Sequence, residues 1–195
     1  MDITQGNIKP LCVDLDGTLV STDTLMESIL IAVKRKPLLL MLLPFWLMKG
    51  RAYLKKRVSE NASIDAALLP YKEQIINYIK SEKDKGREIV LATATDRKIA
   101  LAVSSYLNLF DKVIATENNH NLRSKEKRNA LVELFGEKGF DYIGDSRADL
   151  TVWAKADVAL IVEPSRSLLN KVKLFTENII VFEKEKQNFK LFIKE

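Results

Sequence analysis

An apolar run, Leu11-Cys12-Val13, ends in two carboxylates separated by one residue, and the chain then turns through Asp14-Leu15-Asp16-Gly17-Thr18-Leu19-Val20. Strict strand alternation would send Asp14 and Asp16 to the same side, but the turn begins here and re-aims them. Two acids crowded at the carboxyl end of a strand are costly unless a cation or a proton compensates. Mg²⁺ takes carboxylate ligands and recruits phosphate oxygens as well. An Asp-Gly turn after a buried strand is the plainer account of the same residues.

Short β-like runs alternate with helix-like ones along the rest of the chain. Strands are expected at 11–13, 88–92, 112–115, 141–143 and 158–162, with helical spacing of apolar residues at 96–107, 125–135 and 148–155. Such alternation predicts an α/β fold, a Rossmann-like three-layer arrangement with helices on both faces of a parallel sheet. The exception is the gap between the first two strands. Three or four helices fit there, at 23–34, 38–49, 51–62 and 71–85, so an all-helical cap is expected after strand one. The division is a core of residues 1–22 and 86–195 and a cap of 23–85. Inserted there, the cap overhangs the carboxyl ends of the strands, where open α/β sheets bind ligands.

Residues 38–48 form an eleven-residue run without one polar side chain, framed by Lys34-Arg35-Lys36 and Lys49-Gly50-Arg51. It is too short to span a bilayer, which takes about 20 apolar residues, and it carries Pro44. Either it is a buried cap helix, or some of Leu39, Leu42, Phe45, Trp46 and Leu47 face a membrane surface or a partner.

Composition narrows the chemistry. The 195 residues are 47% hydrophobic and 29% charged, enough for a real core. Cys12 is the only cysteine and His120 the only histidine, which argues against a zinc site and a Ser-His-Asp triad. Cys12 reads as a buried structural thiol, and the absence of a second cysteine suits a reducing, cytoplasmic setting. A net charge of +5 without an aromatic-basic platform argues against nucleic acid. Met1 leads into Asp2, so no secretory signal is expected.

Three further signals sit where phosphate chemistry would need them. Thr93 and Ala94 follow the second strand ahead of a helix, where a hydroxyl and free N–H groups can hold a phosphoryl oxygen. Capping by Thr95 or Asp96 is compatible with this. A lysine in 121–127 could offset anionic charge. Lys125 competes for that role, but Lys127 opens the apolar stripe Ala130-Leu131-Leu134-Phe135. Finally, Gly144-Asp145-Ser146-Arg147-Ala148-Asp149 places two more acids after strand four. Asp145 could complete a Mg²⁺ shell, and Asp149 could orient Lys127 or a metal-bound water. Helix capping explains acids at one strand end, not at two.

The string apolar-D-x-D-G-T-apolar resembles the first motif of the haloacid dehalogenase (HAD) superfamily of phosphohydrolases. The order of the four signals, over roughly residues 11–162, is similar to that family throughout. The resemblance implies a strand order 5-4-1-2-3 and a cap of the first type, as in phosphoserine phosphatase-like members. It implies that Asp14 attacks phosphorus to form an aspartyl-phosphate and that Asp16 protonates the leaving oxygen and then activates water. Thr93, Ala94 and Lys127 would hold the phosphate, Asp14, Asp16 and Asp145 would bind Mg²⁺, and Gly17 and Asp149 would support them. The expected function is a Mg²⁺-dependent phosphomonoester hydrolase acting on a small-metabolite or lipid-linked phosphate. Haloacid or phosphonate chemistry fits less well, since no cap lysine stands out for a Schiff base.

A narrower resemblance covers residues 10–24, 43–57, 91–97 and 140–153. These look like the N-terminal HAD domain of bacterial proteins that continue into a UbiA-type prenyltransferase, an integral membrane enzyme. The basic amphipathic stretch 189–195 resembles the link into that membrane domain. Ser124 departs from the pattern, which often has glycine there. The implied alternative is a weakly active or inactive module, at the cytoplasmic face of a membrane, that binds a phosphorylated ligand or docks on the prenyltransferase.

Overall fold

A computed structural model describes residues 8–61, 64–117 and 122–184, except for the side chain of Ala52. His120 and the stretch 189–195 lie outside the described residues. Six parallel strands form one sheet: β1 (Leu11–Val13), β2 (Ile89–Asp96), β3 (Lys112–Thr116), β4 (Asp141–Gly144), β5 (Ala159–Val162) and β6 (Ile179–Phe182). Their order is β3-β2-β1-β4-β5-β6. The five expected strands keep the expected order. The sixth, Ile179-Ile180-Val181-Phe182, was not read from the sequence and pairs with β5 along its full length.

Period-two alternation sorts each central strand onto two faces. Leu11, Val13, Leu91, Ile143 and Leu160 pack on one side, with Ile75 and Ile79 of helix α4 (Glu73–Asp84) and Val103 of helix α5 (Arg97–Leu107). Cys12, Val90, Tyr142 and Ile161 pack on the other. There they meet Leu131 of helix α6 (Lys125–Phe135), Trp153 of the short helix α7 (Leu150–Trp153) and Leu168 of helix α8 (Arg166–Val172). Strands apolar on both faces require this double cover. Cys12 is fully buried, and burial pushes its thiol well above the ordinary range, as a structural cysteine requires.

The insertion after β1 starts with three helices: α1 (Thr24–Arg35), α2 (Leu39–Met48) and α3 (Arg51–Asn61). Asp23 starts α1 by accepting hydrogen bonds from the N–H groups of Leu25 and Met26. Ala32, Leu39, Trp46, Leu54 and Val58 give α1–α3 a small core of their own. Helix α4, which the sequence groups with the insertion, instead packs on the sheet. Residues 38–48 divide in the same way: Leu39 and Trp46 are buried, whereas Leu42, Phe45 and Leu47 are exposed.

Candidate active site

The carboxyl ends of β1, β2 and β4 lie side by side, so the strand-end motifs converge. Gly17 makes the turn after β1 with φ +75°, a backbone conformation that disfavours side chains, and a Cβ there would collide with the Asp145 carboxylate. Glycine therefore lets the first and fourth motifs touch. Thr18 donates from Oγ1 to Asp145 Oδ1 across the same contact at 3.3 Å.

Asp14 is buried, and Lys127 Nζ lies 2.8 Å from its Oδ1. The same ammonium donates to the Tyr142 hydroxyl at 2.7 Å and sits 3.6 Å from Asp149 Oδ1. Tyr142 in turn donates to Asp149 Oδ1 at 2.8 Å. Asp149 Oδ2 accepts from both the N–H and the hydroxyl of Ser146, closing a capping box. Asp149 thus holds Lys127 and the Gly144–Ser146 turn in place. Lys127 is buried on α6, one turn before Leu131, while Lys125 is exposed. Ser124, just before α6, has φ +51° and ψ −106°, the kind of backbone for which glycine is suited.

Burial raises the Asp14 carboxyl to about 7; Lys127 opposes the shift and Asp149 adds to it. Burial also raises Asp145 to about 6, with repulsion from Asp149 in the same direction. Burial alone would lower Lys127, but Asp14 and Asp149 hold it above its ordinary value. Lys127 is thus shared between the two carboxylates with which it forms ion pairs, Asp14 and Asp149.

Oxygens of Asp14, Asp145 and Asp149 all lie within 4.8 Å of one another. This differs from the expected trio of Asp14, Asp16 and Asp145. The Asp16 carboxylate is turned toward the cap: Oδ1 accepts from the N–H of Thr24 at 2.8 Å, and Oδ2 accepts from the Thr95 hydroxyl. The turn at Gly17 separates the two acids, and the start of α1 fixes the second one. Thr93 is fully buried, and its hydroxyl accepts from the N–H of Thr95 at 3.0 Å. Ala94, rather than the Thr93 side chain, lines the cavity.

That cavity, about 490 Å³, lies between cap and core. Asp14, Asp16, Lys127 and Asp145 form part of its wall, and Leu25, Ile29, Leu47 and Leu54 of the cap form an apolar part. Arg51, Lys55 and Arg123 add positive charge. Lys55 reaches this cavity from the cap. Its ammonium donates to the Ala94 carbonyl, and burial lowers its pKa although Asp16 and Asp23 oppose that shift. Neither it nor Tyr142 was singled out from the sequence. A tyrosine inside a buried strand beside two acids was the available signal, since its hydroxyl needs a partner there.

No protein-family model matches the chain. It is 41% identical over 154 residues to an uncharacterized protein, y4nM, of Sinorhizobium fredii; the match covers 78% of this chain and 30% of that one. The chain thus spans less than a third of the curated relative. Among solved structures, a phospho-aspartyl intermediate analogue of phosphoserine phosphatase superposes with TM-score 0.61 at 18% identity, covering 92% of this chain and 95% of that one. A predicted phosphoglycolate phosphatase from Haemophilus somnus superposes with TM-score 0.59 at 17% identity, covering 93% and 96%. At these identities the likeness establishes the architecture, and the chain has the fold of the HAD-type phosphatases.

Proposed function

We propose that this chain hydrolyses phosphomonoesters with Mg²⁺, through a phosphoryl group carried on Asp14. The observation that carries this reading is the array of buried Asp14, Lys127 and Asp149 with half-buried Asp145 at the floor of a cavity rich in cations. An oxygen-only donor set with excess negative charge suits a hard divalent cation. Asp14 and Asp145 would hold it, since Asp149 is already engaged by Tyr142, Ser146 and Lys127. When bound, Mg²⁺ supplies charge neutralisation and polarises the phosphoryl group.

The chain's own residues then divide the work. Lys127 opposes the effect of burial on Asp14 and so favours the ionised form that attacks phosphorus. As the Asp14–phosphorus bond forms, the bond to the leaving oxygen breaks and Asp16 supplies the proton. Water then attacks phosphorus, Asp16 takes its proton, and orthophosphate leaves with Asp14 restored. Thr24 and Thr95 hold Asp16 for both transfers. The N–H groups around Ala94, with Lys127, would hold the phosphoryl oxygens.

The apolar cap wall and the cations Arg51, Lys55 and Arg123 favour a substrate with an apolar body beside its phosphate, such as a lipid-linked phosphate, over a small polar metabolite. A second reading is a module that binds a phosphorylated ligand without turning it over; the cations Arg51, Lys55 and Arg123 around the cavity favour it. Hydrolysis of an aryl phosphate with and without Mg²⁺ separates the two. Turnover that needs Mg²⁺ and falls about 10⁴-fold or more in Asp14→Asn is expected of the enzyme. No turnover by the folded wild-type chain across a phosphate ester panel would leave only the module.

A further inference from the structure

Helix α2 buries only a narrow stripe. Leu39 and Trp46 are buried and Leu43 half-buried, at the four- and three-residue spacing of one helix face. The remainder of the helix is equally apolar but outward. Met41 is 72% exposed, Phe45 64% and Met48 85%, and Leu38 and Leu40 are exposed beside them. Isolated exposed apolar residues are ordinary, but a contiguous helix face of large ones marks a contact surface.

The charges around this face are one-sided. Lys34 and Arg35 occupy the last turn of α1 and Lys36 caps it; Lys49 caps α2 and Arg51 begins α3. Residues 28–59 hold eight basic side chains and no acidic one. Because the whole chain carries only +5, the rest of it is net negative. The positive charge is therefore local to the helices that carry the apolar face.

We infer that this face of α2 seats in the headgroup layer of an anionic bilayer, with the basic ends of the neighbouring helices against lipid phosphates. An apolar face flanked by Lys and Arg is the combination that binds such an interface without spanning it. Among the described residues no helix is long and apolar enough to cross a membrane. A protein partner would need its own apolar surface ringed by acids, whereas an anionic bilayer supplies both features everywhere. Met26 and Leu47 line the cavity and are each more than half exposed, so the docked face reaches the cavity mouth. The inference does not depend on hydrolysis.

The test is co-sedimentation of the full chain with phosphatidylcholine vesicles, with and without phosphatidylglycerol, at low and high salt. Binding to the phosphatidylglycerol vesicles, weakened by salt, is expected. The triple variant Met41→Ser, Phe45→Ser, Met48→Ser should bind at least tenfold more weakly with an unchanged circular dichroism spectrum. These side chains are outside the cap core, so the fold should survive. As a second variant, Lys34→Glu with Arg35→Glu should also release the chain, while Asp14→Asn should bind like the wild type. Absence of binding at low salt overturns the inference. So does binding that the triple variant leaves unchanged, which would be electrostatic only. Sedimentation velocity without lipid completes the test: a dimer abolished by the triple variant, with no vesicle binding, would make a second copy the occupant and also overturn it.

Discussion

Two clusters of buried charge lie at opposite ends of the same sheet, and they are built differently. At the amino ends of the strands, Arg87 donates to Glu82 at 2.7 Å and to Asp141, and to the carbonyl of Lys9; Lys85 donates to Glu82 at 2.6 Å. Two cations face two carboxylates. Burial would raise the Glu82 carboxyl, but hydrogen bonds from Lys85 and Arg87 hold it below its ordinary value. At the carboxyl ends, Lys127 forms ion pairs with Asp14 and Asp149, Asp145 closes the same cluster of carboxylates, and two of those carboxyls are pushed up instead. Balanced charge is a structural device. Carboxylates crowded at a cavity favour a bound cation or a proton, which makes such a cluster a candidate ligand site.

The contrast breaks most visibly at the amino end. Arg87→Met should cost about 3–5 kcal/mol, because it leaves Glu82 and Asp141 buried without their partner. Urea denaturation measures this, and a loss well under that range would mean the cluster is not a unit. Glu82 also gives the cluster a pH signature. Its depressed pKa contributes stability that is fully present above the ordinary value of 4.5 and lost as pH falls through the lower folded value. Melting temperature should therefore fall less steeply on the acid side in Glu82→Gln than in the wild type.

At the carboxyl end, Lys127→Ala should lower turnover about 10²–10³-fold, as loss of one charge stabilising the transition state does. Lys125→Ala, on the exposed side of the helix, should leave turnover unchanged. The reverse pattern would reassign the lysine. Asp145→Asn should do what no substitution in the balanced cluster can: stabilise the metal-free chain, by roughly 1–3 kcal/mol. The sign follows from its raised pKa. Ionised Asp145 costs stability that appears as pH rises from 3.8 and is complete above about 6, so the gain should vanish in acid. The same variant should lose the thermal shift that Mg²⁺ gives the wild type. The smallest effect is Ser124→Gly, which relieves a left-handed backbone and should add about 1 kcal/mol or less with turnover unchanged.

The acids were legible in the sequence because each sits at the end of an apolar strand, a local pattern that needs no tertiary knowledge. Lys127 was legible for a similar reason, as the first member of the buried stripe it shares with Leu131. The direction of Asp16 was not, because it depends on Gly17 in the left-handed region and on Thr24 and Thr95, which reach it only through the fold. Tyr142 and Lys55 escaped for the same reason: one looks like a strand residue and the other like a solvated cap lysine until their partners are known. Strand β6 carried the ordinary signal of four apolar, mostly β-branched residues, yet lay past the last motif. Helix α4 shows the limit of reading by exclusion. It follows the cap helices in sequence without a strand between, but Ile75 and Ile79 place it on the sheet.

The most direct test of Asp14 as nucleophile is a single turnover with Mg²⁺ and an aryl phosphate, quenched in acid and analysed by peptide mass spectrometry. The account predicts an acid-stable, hydroxylamine-sensitive phosphoryl group on the peptide holding Asp14, absent from Asp14→Asn. Turnover at full rate by folded Asp14→Asn, or a phosphoryl group trapped on another residue, would contradict it.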